Sequence, residues 1–370
     1  MTADTSSPSE PPPFERLLVV RLSAMGDIIH ALPAVAALRE AFPQVTLGWL
    51  VEERWAELLC TLTYPRSGPR SPQRPLADFV HTVNLKTWRH SLLSTNTWQQ
   101  IAVALRELRG HKYEVAVDFQ GAVRSALLAR WSGAPVVYGD SQPRENIAKV
   151  CYTRKVPTSG AHVVEQAFSL AQVVTQRASS TLVSAAVSAP KAEFPIDPDA
   201  ENRITALVGE ARDFAILNPG AGWGAKRWPS ERYGLVASEL KKGGVRSLIN
   251  YGPGEEELAA AVETASAGVA QKISCSISEL IALTRRARLF VGGDTGPMHL
   301  AAALNIPVVA IFGPTNPARN GPFGTSSMVL RSTTSLTSHA RHREPEKGLL
   351  EISPQEVVAA ARKLLGSAHG

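Results

Sequence analysis

The chain has 370 residues, 44% of them hydrophobic and 19% charged, with 39 Lys and Arg against 33 Asp and Glu for a net charge of +6. That length exceeds what one hydrophobic core normally organises, so two domains are expected. The mild basic excess suits an anionic small molecule, an anionic membrane surface or ordinary solubility, and does not indicate nucleic acid.

Residues 1–15 are polar, proline-rich and acidic, with no basic n-region and no apolar h-region, so they read as a disordered tail and not as a signal peptide. No run of about 18 apolar residues occurs, which excludes a membrane-spanning helix and leaves surface association open. Cys60, Cys151 and Cys275 are widely spaced and form no CxxC pair. They read as reduced, packed thiols of a cytoplasmic protein, not as a disulfide framework or a zinc site.

Short β-branched runs then alternate with helical patterns. Strands are expected at 17–22, 45–51, 113–119 and 135–139, and helices at 31–42, at 97–109 ending before Gly110, and near 122–131. Residues 60–76 read as a surface loop. The stretch 185–200 carries three prolines and no period, which places an interdomain linker there. The pattern restarts with strands at 214–219, 246–251, 287–292 and 307–312, alternating with helices near 231–241, 255–265, 278–285 and 297–304. A last helix over about 353–366 begins with a Ser cap and a Pro at the first helical position. Strand–helix–strand repetition implies parallel sheets covered on both faces. The fold class is therefore α/β, with two open sheets in tandem and ligands in the cleft beyond the strand carboxyl ends.

Several strand–turn–helix junctions carry candidate chemistry. In RLSAMGDIIHALPA (21–34), Gly26 permits a tight turn and Asp27 is either a helix cap or a general base facing the cleft. His30, one turn on, either orients Asp27 or is simply packed. In NPGAGWGAKRWP (218–229), three glycines including Gly222 allow close backbone approach, and Lys226 supplies the charge a diphosphate needs. In VGGDTGPMHLAAAL (291–304), Asp294, Thr295 and Gly296 lead into a helix whose free N–H groups form an anion site, or are merely well capped. In YGPGEEELAAAV (251–262), Glu255 either binds ribose hydroxyls or belongs to an ordinary acidic first turn, the simpler reading from the residues alone. Lys86, Arg89, Arg124 and Arg144 form a basic set in the first half, suited to an acceptor bearing carboxylates or phosphates; each singly is also ordinary surface charge.

Together SAMGDIIHALPA, DFQGAVRSALLAR, KRWP, GGDTGPMHLAAAL and IFGPTNP resemble glycosyltransferase family 9, the bacterial lipopolysaccharide heptosyltransferases, over about residues 17–366. The first of these segments is closer to the type I branch than to type II. The resemblance implies a GT-B fold of two Rossmann-like domains facing a central cleft. The N-terminal acceptor-binding domain would span 16–184, the linker 185–200, the nucleotide-sugar domain 201–350, and a C-terminal helix and tail 351–370. It also implies an inverting transfer needing no metal or other cofactor, from an ADP-heptose donor to the Kdo residue of a lipid A precursor. No nucleic acid or obligate protein partner is implied, and the enzyme would work from the cytoplasm as a peripheral protein at the inner membrane.

By motif, Asp27 matches the family's catalytic base, Lys226 its diphosphate lysine, Glu255 its ribose glutamate and Asp294 the donor-sugar aspartate. Thr295, Gly296 and His299 share that donor loop, and Gly222 lies in the loop before Lys226. Lys86, Arg89 and Arg144 fall where family cations face the acidic acceptor. The chain departs from the pattern at GAGWGA, where the enterobacterial type I enzymes carry threonines, and at Thr87, where a second arginine is expected. Rival readings are a transferase using another nucleotide sugar, a sugar-nucleotide epimerase or hydrolase of the same fold, and a non-catalytic nucleotide-sugar-binding protein.

Overall fold

A computed structural model of the chain describes residues 14–91, 93–178, 192–210, 213–338 and 340–367. The first half runs β1 (Arg16–Val20), α1 (Met25–Ala41), β2 (Thr46–Glu52), β3 (Phe79–Val83), α2 (Leu85–His90), α3 (Thr95–Gly110), β4 (Val115–Asp118), α4 (Val123–Trp131), β5 (Val136–Asp140), β6 (Arg154–Val156) and α5 (Val163–Ala178). The second runs α6 (Pro198–Val208), β7 (Phe214–Asn218), α7 (Ser230–Lys242), β8 (Arg246–Tyr251), α8 (Glu256–Ala265), β9 (Ala270–Ser274), α9 (Ile277–Arg286), β10 (Leu289–Gly293), α10 (Gly296–Ala303), β11 (Val308–Phe312), α11 (Pro317–Asn320), β12 (Ser327–Arg331), α12 (Lys347–Glu351) and α13 (Pro354–Ser367).

The strands form two six-stranded sheets ordered β3-β2-β1-β4-β5-β6 and β12-β11-β10-β7-β8-β9, and every ladder is parallel. Each order reverses direction once, between β1 and β4 and between β7 and β10. At such a switch point two adjacent connections depart to opposite faces, which opens a crevice at the strand carboxyl ends. The central strands LLVV, LFVGG and VVAIF are buried throughout, as strands covered by helices on both faces must be.

Several expectations require revision. The first helix begins at Met25, six residues before the expected start. The segment 60–76 is not simply a surface loop: Arg74 is fully buried and its guanidinium donates to the carbonyls of Pro65, Gly68, Pro69 and Ala77. Of the expected tail, only Phe14 and Glu15 are described; Phe14 is buried, edge-on to Phe42 at 5.0 Å. Within 185–200, residues 185–191 lie outside the described residues, while 198–200 open α6 behind the Asp197 cap. The Ser353 cap of α13 is present, its hydroxyl accepting from the Glu356 N–H while the Glu356 carboxylate accepts from the Ser353 N–H.

The two halves meet through a largely apolar seam. Leu280 and Ile281 of α9 and Leu300 of α10 pack into the apolar cluster formed by α1, α5 and the first sheet. At the seam's edge the N-termini of α1 and α10 abut so closely that each contributes a glycine. A Cβ on Gly26 would stand 2.5 Å from the His299 ring, and one on Gly296 would stand 2.7–2.8 Å from the Met25 side chain. Gly26→Ala should destabilise the protein by about 1–3 kcal/mol, the usual cost of forcing a methyl into a packed site. Gly296→Ala should cost a similar amount, because one of the atoms it would strike is the Met25 Cβ at 2.8 Å, which side-chain rotation cannot move. Urea midpoints equal to the parent's for both variants would refute this tight seam.

Candidate functional site

Asp27 follows β1 at the first switch point. It is not the N-cap of α1, a position held by Ala24, but the third helical residue. One carboxylate oxygen accepts the Ala24 N–H at 3.2 Å and the other pairs with Arg21 at 3.1 Å. Arg21 is itself anchored on the carbonyl of Asp27 at 3.1 Å and on that of Phe119. The side chain nevertheless remains 39% exposed, so the carboxylate is oriented without being sealed.

The turn carrying Asp27 is braced by a residue that motif reading left without a role. Gln120, after β4, accepts from the N–H groups of Leu22 at 2.8 Å and Ser23 at 3.3 Å. Gln120 is placed by Asp118, whose buried carboxylate accepts from the Gln120 and Gly121 amides and from the hydroxyls of Ser125 and Tyr152. Burial pushes the Asp118 carboxyl up, and those four donors only partly oppose it. The signal lay in DFQG itself: a polar triplet directly after a buried strand needs internal partners.

Across the seam, at the second switch point, a chain of polar groups runs between the halves. The Lys226 ammonium donates to the Asp294 carboxylate at 2.5 Å and to its carbonyl at 3.0 Å. The other Asp294 oxygen meets His299 Nε2 at 3.1 Å, and His299 Nδ1 meets His30 Nε2 at 3.0 Å. Because the carboxylate can only accept, Nε2–H of His299 donates to it, Nδ1 accepts, and His30 carries its proton on Nε2. His30 Nδ1 is then a buried acceptor with no partner among the described residues. His30 therefore serves His299 across the seam and does not orient Asp27.

The electrostatics follow from burial. Desolvation, then the charges of His299, His162 and Arg21, hold the His30 pKa well below its ordinary value. His162, whose Nε2 donates to the Gly321 carbonyl at 3.0 Å, is also lowered by burial. Burial opposes ionisation of Asp294, but His299 and Lys226 together outweigh it and hold that carboxyl well below the usual range.

The remaining donor-side candidates converge on the same loops. Glu255 stands at the N-cap position of α8 without a side-chain bond to the helix; its carboxylate instead accepts the Gly252 N–H at 3.0 Å and lies over Gly220. Gly222 is exposed, with open space on its Cα. Thr295 is the N-cap of α10 and Gly296 its first residue. The Lys226 ammonium also sits 4.4 Å over the Trp223 ring, with the Arg341 guanidinium 5.3 Å from the same ring. Arg341 belongs to a segment that crosses this loop, where the Ala225 N–H donates to the His342 carbonyl; no periodic pattern marked it.

On the first domain, Lys86 and Arg89 of α2 and Arg124 of α4 line one cavity of about 270 Å³ with Ser23, Glu52, Arg54 and Leu85. Arg144 does not line it. Arg144 is exposed in the turn after β5, where its backbone packs on Gly121. Thr87 turns its hydroxyl to Asn84 at 2.9 Å. A cavity of about 490 Å³ at the far end of α1, lined by Ala36, Arg39, Glu40, Pro43, Arg70, Leu76 and Glu193, holds none of the candidate residues.

The sign of the pH dependence is fixed by these shifts. The folded state resists protonation of His30 and His162, whereas the unfolded chain protonates them near about 6.5, so stability falls as pH drops through and below that value. Asp294 contributes stability above its unfolded value of about 3.9 and loses it only in stronger acid. The urea midpoint should therefore decline between pH 7 and pH 5, and His30→Gln, which keeps a donor toward His299, should flatten that decline. An unchanged slope would remove His30 as its source.

The model of glycosyltransferase family 9 (heptosyltransferase) matches residues 101–350. The chain is 29% identical to lipopolysaccharide heptosyltransferase 1 of Pseudomonas aeruginosa, covering 86% of this chain and 84% of that protein. It is 24% identical to lipopolysaccharide heptosyltransferase 3 of Escherichia coli, covering 92% and 97%. The solved structure of the E. coli heptosyltransferase WaaC with ADP-2-deoxy-2-fluoro heptose superposes with a TM-score of 0.71 at 25% identity, covering 94% of this chain and 99% of that one.

Proposed function

Since this chain belongs to glycosyltransferase family 9, the heptosyltransferases, we propose that it transfers heptose from ADP-heptose to the Kdo residue of a lipid A precursor, as a type I enzyme. The observation carrying this reading is that an accessible, oriented carboxylate at one switch point abuts, through α1 and α10, a buried Lys–Asp pair at the other. The relatives named heptosyltransferase 1, and the resemblance of SAMGDIIHALPA to the type I branch, favour that acceptor over the substrate of a type III enzyme.

In this mechanism Asp27 takes the proton of an acceptor hydroxyl as its oxygen attacks the anomeric carbon from the face opposite ADP. The bond from that carbon to the diphosphate breaks, and ADP leaves with the bonding pair. Lys226 has three N–H donors, two of them committed to Asp294, and the third is available to a phosphate oxygen. With the amides of Thr295 and Gly296 at the α10 N-terminus it meets the charge that grows on departing ADP. Such preorganised donors contribute a few kcal/mol each. Glu255 receives the ribose hydroxyls, Gly222 lets backbone approach the diphosphate where the threonines are missing, and Asp294 and His299 face the donor sugar.

Lys86, Arg89 and Arg124 bind the acidic acceptor in their shared cavity, with Arg144 reaching it only from the neighbouring turn. The acceptor's lipid anchor places the protein against an anionic membrane surface. Among the described residues no helix is long and apolar enough to span a membrane. However, Leu93, Trp98 and Val103 stand exposed on the segment that follows Lys86 and Arg89, a combination suited to shallow contact.

Purified protein given ADP-heptose should release ADP only when Kdo-lipid A is present, with the acceptor gaining the mass of one heptose. Release without acceptor would instead identify a hydrolase or epimerase. Asp27→Asn should lower turnover by about 10²–10⁴, the usual worth of a general base, while leaving ADP affinity within two-fold or so. Near-normal turnover would reduce Asp27 to a helix-start residue. Lys226→Ala should weaken ADP binding by about ten- to a hundred-fold, as loss of a charge-assisted hydrogen bond predicts. In flotation, vesicles containing anionic lipid should carry the protein upward and neutral vesicles should not; no binding to either would exclude the membrane contact.

A further inference from the structure

We propose that His81, Glu107 and His111 form a binding site for a divalent transition-metal cation of the zinc class, remote from the transfer site. Their ligand atoms all lie within 4.8 Å of one another. His81 projects from the middle of the edge strand β3, and Glu107 and His111 sit four residues apart at the end of α3. His111 keeps helical backbone angles as the C-cap, so those two side chains share one helix face. Two imidazoles and one carboxylate are a ligand set that zinc accepts in three-residue sites with one position left to water. Around a cation with ligand bonds of about 2.0–2.1 Å, tetrahedral ligand atoms stand roughly 3.3 Å apart, so a contraction of no more than about 1.5 Å is required. Glu107 is 56% exposed and free to make that movement.

Two further features distinguish this group from an ordinary His–Glu pair. The buried His81 has both nitrogens addressed: Nδ1 meets Glu107 at 2.8 Å and Nε2 meets the Tyr113 hydroxyl at 2.6 Å. Burial raises the Tyr113 pKa strongly, so its hydroxyl remains a neutral partner. The Glu107 carboxylate can only accept, so Nδ1–H donates to it and Nε2 accepts from the Tyr113 hydroxyl. On ligation the imidazole proton would move to Nε2 and be held by the Tyr113 oxygen while Nδ1 turns its lone pair to the cation, the outer-shell arrangement that fixes a metal-binding imidazole. In addition, Phe79 lies 4.3 Å from the His111 ring and stacks parallel to His81 at 6.1 Å, forming an apolar wall. Partial burial, foremost, lowers the His111 pKa, and the hydrogen bond from His81 lowers that of Glu107.

The site is separate from the chemistry. His81 pairs in register with Leu50, and Leu50 with Val20, so it lies two strands, or about 10 Å, to the side of β1. Val80 joins the α1-side cluster, and alternation therefore sends His81 to the opposite face, toward α3. A cation there would clip the edge strand to α3 just before α2, which carries Lys86 and Arg89.

The test is titration of the full chain with Co²⁺, read by visible absorbance, followed by Zn²⁺ competition and thermal melts. The expected result is one equivalent bound with micromolar or tighter affinity and a higher melting temperature. His111→Ala and Glu107→Gln, both at accessible positions, should each weaken binding at least ten-fold while melting like the parent without metal. Tyr113→Phe, which keeps all three ligands, should weaken it by about ten-fold. Absence of stoichiometric binding, or binding unaffected by both ligand substitutions, would overturn the proposal.

Discussion

The close approach of two helix N-termini across the seam is the constraint on which the rest of the site depends. Gly26 opens α1 against the His299 ring, and Gly296 opens α10 against Met25. Only residues without side chains permit that separation, and only that separation lets His30 reach His299 at 3.0 Å. From there the hydrogen bonds continue to Asp294 and Lys226. The position of one domain is thereby tied to the orientation of a cation in the other. A buried chain of this kind is costly if any member loses its partner, so it fixes relative placement more strictly than the apolar seam does by itself.

Topology explains why these particular loops meet. Both sheets have the same strand order, each with its first strand beside its fourth. The connections after β1 and β4 supply Asp27, Gln120 and Arg124, and those after β7 and β10 supply Lys226 and Asp294. Facing two such sheets across a seam places both crevices on one cleft. One crevice is lined by cations and a carboxylate, the other by glycines and a Lys–Asp pair. In the proposed transfer the division of labour between acceptor and donor follows from which loops are bulky and charged and which leave room for a diphosphate.

How far the sequence disclosed this follows from the same physics. The central strands were legible because burial on both faces demands unbroken apolar runs. The four strands not anticipated, β3, β6, β9 and β12, are the sheet edges, where residues such as Arg154, Gln271 and Ser327 interrupt any such run; edges are commonly kept short and polar. The glycine loops around Lys226 and Asp294 were legible because small residues directly after a strand have few structural uses. The His30–His299 bond spans 269 positions and leaves no local trace, so His30 was read against Asp27, its neighbour in sequence. Arg74 was hidden for a different reason: a polar, proline-rich stretch is expected outside, and only the fold shows its carbonyls converging on one guanidinium.

Asp27 shows why bracing a helix start and the role of base proposed for it need not compete. An ionised carboxylate has about four acceptor sites, of which the Ala24 amide and Arg21 take two. Those two contacts come from the backbone that starts α1 and from a side chain bonded to the Asp27 carbonyl, so the helix start itself sets the rotamer. In the proposed transfer the remaining lone pairs face the acceptor hydroxyl with the geometry already fixed, which removes reorganisation from the proton-transfer step. A base held only by solvent would have to be ordered in each turnover. The helix therefore supplies the Asp27 carboxylate with its orientation, and Gln120, by holding the Leu22 and Ser23 amides, supplies the helix with its starting point.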